Sequence, residues 1–538
     1  MSKTIETPVL IVGGGPIGLA LALDLNHMGT ASLVVERDPG TATVLLAKAG
    51  TENERTMEFC RRWGLIDKIA ACFPDDHPRD NVFCTSLTGH VVARTPVPST
   101  AERGVPLVGP EMLRRCAQYE FDPILAEAVH ASSHARIRYG VNFESMREDE
   151  NGVISELTDA TSGERITVHS QYVVGCDGAG SAVRKQLGVP FEVLAQMDFS
   201  LSAMLRIPQF ERYHFHGRCE RFLFMGADGI WANMTTVDGR DLWRFTVVGS
   251  EAALDPQRYD IAPVIRRAFG DAQVPYEIVR MMPWRRAQTL AQTYRVGRVL
   301  LAGDAVHTTS PTGGHGLNTG IGDCTDVSWM LDAMVKGWGG QRLLEAYTRE
   351  RRPVALRNFG SSTQNYRAWV GPGMANVEAG GPVGDAARRN VGNYLSVALH
   401  QEWFSQGIAL GYRYEDSPIV VPDGTAPPAD HPSFYLPTAR PGHRAPHAWL
   451  ADGRSLLDLF GRGFVLLRFG ADAPDTRPLC LAAHKHGVPL QVVDIDQPEI
   501  AAAYERGLVM VRPDGMVAWR AETLPGDCGA LIDRVRGA

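Results

Sequence analysis

Three clusters of glycine and acid hold most of the chemistry legible in this 538-residue chain. The first is Gly13-x-Gly15-x-x-Gly18, with Pro16 inside it, followed 23 residues after Gly13 by Glu36. Glycines at that spacing let backbone amides approach a pyrophosphate at a helix N-terminus, and an acid ending the next strand can accept from ribose hydroxyls. Three fixed glycines arise by chance about 0.5 times in a chain of this glycine content, so the flanking pattern has to carry the motif. It does: an apolar run, Val9–Val12, precedes it, an alanine- and leucine-rich helix runs from Ile17 to about Met28, and Ser32–Glu36 is a buried strand. The second cluster is Gly175-Cys176-Asp177-Gly178-Ala179-Gly180-Ser181-Ala182-Val183-Arg184. The third is Leu301-Ala302-Gly303-Asp304-Ala305-Val306-His307, followed by Pro311-Thr312-Gly313-Gly314-His315-Gly316-Leu317-Asn318-Thr319-Gly320. Each sets an aspartate and glycines at the end of a buried strand, where backbone can lie against a flat ligand.

The elements that must position these clusters follow from the periodicity. Residues 8–36 open as strand, helix, strand, the start of a dinucleotide-binding fold. Helices are expected over Glu52–Trp63 and Glu111–His130. Short strands are expected at Arg138–Phe143, Val153–Thr158, Glu164–His169 and Tyr172–Cys176, then at Phe222–Met225, Ile230–Thr235 and Leu242–Val248. A strand at Val299–Ala302 leads into a long helix ending near Met334, and residues 345–412 read as mostly helical. Seven prolines fall between Val421 and Pro446, which marks a linker or wrapping segment. Beyond it, strands at Phe464–Arg468, Leu490–Asp494, Leu508–Arg512 and Met516–Arg520 alternate with helices in a compact unit of about 90 residues.

The three clusters, in this order and spacing, resemble the fingerprints of the class A flavoprotein monooxygenases, the para-hydroxybenzoate hydroxylase-like family. The resemblance covers residues 6 to about 360 and ends in Ser328-Trp329-Met330-Leu331 and the stretch from Leu343 to Pro353. The tail is similar to the thioredoxin-like domain of the phenol and polyketide hydroxylase branches, without its C-x-x-C pair. This implies an α/β fold: a Rossmann-like FAD-binding domain (1–75, 110–185, 286–390) with an inserted α+β, mixed-sheet substrate domain (76–109, 186–285). A helical and proline-rich connection (391–446) then leads to the thioredoxin-like domain (447–538). It also implies an NAD(P)H-dependent aromatic hydroxylase that captures O2 as the flavin C4a-hydroperoxide and transfers oxygen to a phenolic or related ring. Baeyer–Villiger insertion or epoxidation on a polyketide-like substrate is the alternative outcome, and a non-catalytic FAD-binding relative is the rival of another class.

The resemblance carries roles residue by residue. Gly13, Gly15, Pro16 and Gly18 would hold the pyrophosphate, with Glu36 and Arg37 at the adenosine end. Asp304, after Gly303, would bond the ribityl chain. Gly314, Gly316, Leu317 and Asn318 would lie along the isoalloxazine, where a helix N-terminus favours the negative charge of reduced flavin. Asp177 would reach toward the flavin and nicotinamide side, Arg184 would support that loop, and Gln118 would touch the ribityl or pyrophosphate region. Lys48 stands where the family has a pyrophosphate-holding arginine; it keeps the charge but not the bidentate fork.

Composition bounds the rest. Lys plus Arg number 54 against 61 Asp plus Glu, a net charge of −7, which argues against a nucleic-acid binder. Nine cysteines, none spaced C-x-x-C, argue against a disulfide framework or a zinc site and fit a reducing cytoplasm. The apolar stretch Pro8–Leu23 holds four glycines and two prolines and lacks the flanks of a signal peptide, so no membrane association is expected. A homodimer is compatible with the chain. Partners are then a small aromatic substrate, O2 and NADH or NADPH. No metal constellation is present, so oxygen activation falls to the flavin.

A phenol reacts faster as phenolate, so a base near neutral pKa would help. His214 and His216, two apart on an expected strand, would face one side, near Tyr213, Trp231, Asn233, Met234 and Trp243. His315 in the flavin loop is the other candidate base, and backbone at Pro311 and Thr312 would wall the cavity. With no clustering of arginines along the substrate region, a neutral or hydroxylated aromatic is favoured over a benzoate.

Overall fold

Apolar runs without alternation make strands that are buried on both faces, as a parallel sheet requires. Ser32–Val35 and the second half of Lys3–Val12 are such runs, with no exposed residue. The computed structural model describes residues 3–41, 49–370, 374–470 and 473–538. In it Val299–Leu301, Arg165–Gly175, Lys3–Val12, Ser32–Val35 and Ala135–Arg138 lie side by side in that order, all parallel. The helices Pro16–Met28 and His315–Val335 cross this sheet together, and close approach between them is made by glycine. A Cβ at Gly320 would come within 2.6 Å of Ile17 Cδ1, and one at Gly303 within 2.9 Å of Ile17 Cγ1.

The second sheet is mixed and runs His307–Thr308, Glu277–Ala291, Phe191–Arg206, Leu242–Ser250, Gly229–Thr236, Arg221–Gly226, Asn81–Cys84, Val91–Thr95. One face carries Phe222, Phe224, Met234, Trp243 and Phe245 under the helix Ala262–Phe269. The other sets Phe83, Leu223, Met225 and Ile230 against Trp369 and the helix Gly381–Ala398, and also carries Asn233, Thr235 and Arg244.

The expected elements recur with instructive differences. The helix expected from Glu111 starts at Gln118, because residues 111–117 form an extended strap in which Arg114 and Glu52 exchange both backbone hydrogen bonds. The strand expected over Arg138–Phe143 is broken at Gly140, whose φ of +68° turns the chain. Glu164–His169 and Tyr172–Cys176 are one strand, Arg165–Gly175. Among the described residues no helix is long and apolar enough to cross a membrane.

The C-terminal unit is a four-stranded sheet, Leu490–Ile495, Phe464–Phe469, Leu508–Val511, Val517–Ala521, the first pair parallel and the rest antiparallel, in the element order expected from the sequence. The proline-rich segment wraps rather than hangs free: Arg444 is buried on Glu58, to which Arg55 Nη1 also donates at 2.8 Å. The hairpin turn Arg512–Gly515 plugs into the first domain. Arg512 forks onto Glu350 at 2.6 and 2.8 Å and also pairs with Asp514, which accepts from Trp329 Nε1 at 3.1 Å. From there the charges continue inward. Tyr414 joins Asp326 to Arg351 (3.1 Å to Nη1), Arg351 Nε donates to Asp323 at 2.8 Å, and Asp323 accepts the Gly303 N–H at 3.1 Å.

Candidate active site

Four of the chemistry-bearing segments stand at the carboxyl ends of four adjacent parallel strands, the crevice where open α/β sheets bind ligands. Val12 leads into Gly13, Val35 into Glu36, Gly175 into Asp177 and Leu301 into Gly303. Gly13 has a φ of +111° and lies against Cys176 (a Cβ would meet its carbonyl oxygen at 2.4 Å), while Gly15 faces open space. Helix Pro16–Met28 begins there with no side-chain cap and no acid in its first turn. Helix His315–Val335 begins the same way, after Gly314 at a φ of +69°. Two uncapped helix ends, packed side by side, leave N–H groups and positive dipole ends toward one crevice, and that donor set fits a dinucleotide's pyrophosphate and an electron-accepting ring.

Around them the side chains are already partly engaged. Glu36 accepts from Gly14 N–H (2.6 Å) and Asp38 N–H (2.9 Å), one bond per oxygen, which leaves lone pairs for hydroxyls. Arg37 beside it is exposed. Asp304 is exposed at the strand end. Asp177 spends its carboxylate on the next turn, accepting from Ser181 Oγ, Ala182 N–H and Val183 N–H at 2.5 to 3.1 Å. Arg184 is buried rather than a surface ion-pair partner: its guanidinium lies 3.7 Å over Phe191 and donates to Val189 O. Gln118 opens its helix and donates to Asp122 at 3.0 Å. Asn318 ties the flavin-loop helix to residues 51–56, accepting from Asn53 N–H and Thr56 Oγ and donating to Thr51 O and Gly314 O. Leu317 packs on Phe59 and Ile321, and Gly316 lies beside Thr309. Lys48 lies outside the described residues.

The candidate bases come out differently from the sequence reading. His214 and His216 are on a loop that follows the 3-10 turn Phe210–Tyr213, not on a strand. Their rings do meet, 5.6 Å apart, but with Phe210, Phe222 and Trp243 on the face of the second sheet turned away from the flavin loop, beside a cavity of about 320 Å3. Tyr213, Trp231, Met234 and Trp243 share that outer face, whereas Asn233 points the other way. His315 does sit at the flavin loop, near Ser361, but burial with Arg357 nearby pushes it down to about 4, so it is neutral and a weak base. The groups suited to handling protons near Pro311 are ones that sequence alone did not single out. Asp198 accepts from Tyr366 OH (2.6 Å) and Arg286 Nε (3.1 Å), and Arg286 donates onward to Ser310, which bonds Thr312. Burial, then the bond to Asp198, push the Tyr366 phenol well above its ordinary value.

A second correction concerns charge. Arginines 79, 115, 221 and 244, dispersed in sequence, are gathered by the fold. Arg221 and Arg244 flank Thr235 across three strands in one row on the inner face. Arg79 and Arg115 share Glu220 at 2.8 and 3.3 Å, and Arg221 pairs with Glu402 at 3.1 Å. Arg115 also bonds Thr51 Oγ and Thr236 O, and Thr51 lies against Gly314, so the cluster adjoins the flavin loop. Despite its burial, Glu220 is held down at about 2 by Arg79, Arg115 and Arg221. Burial pushes Glu402 and Glu52 up instead, toward their neutral forms. Arg244 lies in the same row as Arg221: burial, then Arg221 and Arg115, lower its pKa to about 9.

A parallel dinucleotide sheet, two uncapped helix ends at its crevice and an inserted mixed sheet facing them define a flavin-type oxidoreductase. Residues 6–361 match the FAD binding domain family and residues 438–538 the aromatic-ring hydroxylase C-terminal family. The chain belongs to the FAD-binding class A aromatic-ring hydroxylases. It is similar to the rebeccamycin biosynthetic enzyme RebC with reduced flavin, at 38% identity and a TM-score of 0.92 over 100% of both chains. A chromopyrrolic acid-soaked form of RebC matches at 37% identity and a TM-score of 0.90 over 99% of both chains. The 4-methyl-5-nitrocatechol 5-monooxygenase of Burkholderia sp is 32% identical over 99% of this chain and 97% of that one. This protein is thus an FAD-dependent aromatic monooxygenase, and NAD(P)H is the reductant typical of its family.

Proposed function

We propose that the substrate is an extended aromatic compound bearing a carboxylate, hydroxylated on its ring. The observation that carries this is the gathering of Arg79, Arg115, Arg221 and Arg244 around Glu220 beside the flavin loop, where burial, Arg221 and Arg115 lower the Arg244 pKa to about 9. Guanidinium groups in a water-poor site favour a planar anion that can accept two parallel bonds. The binding of 7-carboxy-K252c by a relative soaked with chromopyrrolic acid supports the same reading. It replaces the preference for a neutral ring drawn from the spread of the arginines along the sequence.

In this reading the amides of Gly13–Gly18 hold the FAD pyrophosphate, Glu36 the adenosine ribose, and Asp304 the ribityl chain. FAD held there would supply the reduction by NAD(P)H and the activation of O2 that ring hydroxylation needs. The chain's own part is placement. Arg244 and Arg221 fix the carboxylate at the sheet face, Trp284 and Asn233 flank the ring, and the loop at Pro311–Gly316 faces it. Asp198 takes up a proton from a ring hydroxyl through Tyr366, held in orientation by Arg286. The thioredoxin-like domain closes the rear of the FAD domain and takes no part in redox chemistry, since Cys480 and Cys528 lack a resolving partner three residues on.

Stopped-flow absorbance with NADH and NADPH in turn tests this against pairs of polycyclic phenols, each as the free acid and as its methyl ester. The acid is expected to accelerate flavin reduction and to yield a product one oxygen heavier, with the ester at least about tenfold weaker. Equal stimulation by both would remove the carboxylate from the proposal.

A further inference from the structure

Nine cysteines with no short spacing give no hint of a pair, yet the fold brings two together. Cys72 follows the short helix Ile66–Ala70, and Cys116 sits in the strap 111–117. Their sulfurs lie 3.2 Å apart, with the Cys116 S–H directed at the Cys72 sulfur. Cys116 is buried, while Cys72 retains 9% of its surface, enough for a small oxidant. The Cys116 hydrogen bond lowers the Cys72 pKa against the effect of burial, so Cys72 is the more readily ionised of the two. The strap that holds Cys116 adjoins the candidate site: Arg115, next to Cys116, belongs to the arginine cluster, and the helix opened by Gln118 begins two residues on.

We propose that Cys72 and Cys116 are a peroxide-responsive thiol pair that closes to a disulfide and so displaces Arg115. The oxidant is hydrogen peroxide, which a flavin monooxygenase releases whenever reduced flavin meets O2 without transferring oxygen to a substrate. The Cys72 thiolate attacks one peroxide oxygen, the O–O bond breaks, and hydroxide leaves and is protonated to water. The Cys116 thiol then attacks the Cys72 sulfenic acid, the S–S bond forms, the S–O bond breaks, and a second water leaves. Two thiols are oxidised by two electrons and one peroxide is reduced to two waters. Bonding at about 2.05 Å draws the sulfurs together by roughly 1.1 Å, and the strap with its Arg115 follows. A thiolate-bound cation is the competing use of the same pair with Glu120, whose carboxylate lies within 4.8 Å of both sulfurs. Tetrahedral Zn–S bonds would hold the sulfurs about 3.8 Å apart, so binding would require the pair to open rather than close.

The test titrates the holoenzyme with hydrogen peroxide, blocks remaining thiols under denaturing conditions, and maps peptides by mass spectrometry. A Cys72–Cys116 cross-linked peptide, two hydrogens lighter than the two free peptides together, is expected to appear first. It should vanish on reduction, and in Cys72→Ser and Cys116→Ala taken separately. In parallel, oxidised wild type should bind an aromatic acid several-fold more weakly, recovering with dithiothreitol. The proposal falls if Cys72 and Cys116 remain alkylated while other cysteines oxidise, or if Cys72 proceeds to the sulfinic acid. It also falls if zinc ions bind stoichiometrically and shield the pair. Cross-linking is read on the protein without substrate, so it stands or fails separately from the carboxylate assignment.

Discussion

Two buried arginine clusters in this molecule are built differently. At the C-terminal interface, Arg351 and Arg512 sit among Asp323, Asp326, Glu350 and Asp514, more acids than arginines, all essentially without solvent. Burial, reinforced by Asp514 and Glu350 against the pull of Arg351 and Arg512, lifts Asp326 to about 8, so one acid keeps its proton and serves Tyr414. Beside the flavin loop two arginines, Arg79 and Arg115, share the one acid Glu220. A protein interior tolerates ions only when they are compensated. The first cluster is compensated by the chain itself and functions as a joint. The second, on the proposed reading, also receives the substrate's carboxylate.

The largest effect expected from that contrast is at the joint. Replacing Arg512 with Met strands Glu350 and Asp514 without their cation and should cost about 3–5 kcal/mol, read as a lowered denaturant midpoint. A loss under 1 kcal/mol would show that the joint is not closed by this pair. At the cluster beside the flavin loop, Arg244→Leu should raise KM for an aromatic acid about tenfold or more and leave its ester unaffected. Destabilisation with unchanged KM would make Arg244 a structural residue like Arg512. Asp326→Asn gives an effect that depends on pH. An unfolded aspartate releases its proton near 3.8 and the folded Asp326 near 8, so the folded state holds the extra proton between those values and the wild type loses stability as pH rises through that window. Urea midpoints of wild type and variant should therefore converge near pH 4 and separate by pH 8, the variant higher. Parallel curves would show that Asp326 is ionised at the joint.

Sequence spacing conveyed what is local and missed what the register creates. Gly13, Gly15, Gly18, Glu36 and Gly303 could be read directly, because strand, tight turn and helix follow one another within a few residues and the fold adds only their adjacency. His214 and His216 were misread for a stated reason: a spacing of two implies a shared face only on a strand, and here the chain turns out of the 3-10 segment into a loop. Arg79, Arg115, Arg221 and Arg244 have no sequence signature at all. Arg221 and Arg244 meet through the pairing of both with Thr235, and Arg115 joins them through a strap that has the composition of a helix. The same holds for Asp198, Arg286 and Tyr366, which come from three separate elements.

The polar chain from Arg512 through Asp326, Tyr414, Arg351 and Asp323 to the Gly303 amide also sets a rule for recombination. A hybrid that takes its tail from one relative and its body from another inherits half of an ionic lock. Glu350, Arg351, Asp323 and Asp326 lie on the body, Tyr414 on the connecting segment and Arg512 with Asp514 on the tail, so they must be transplanted as a matched set. Shuffling at the proline-rich segment without them should give chimaeras whose fault shows first in cofactor retention, at the far end of the chain of contacts, rather than in the grafted tail itself.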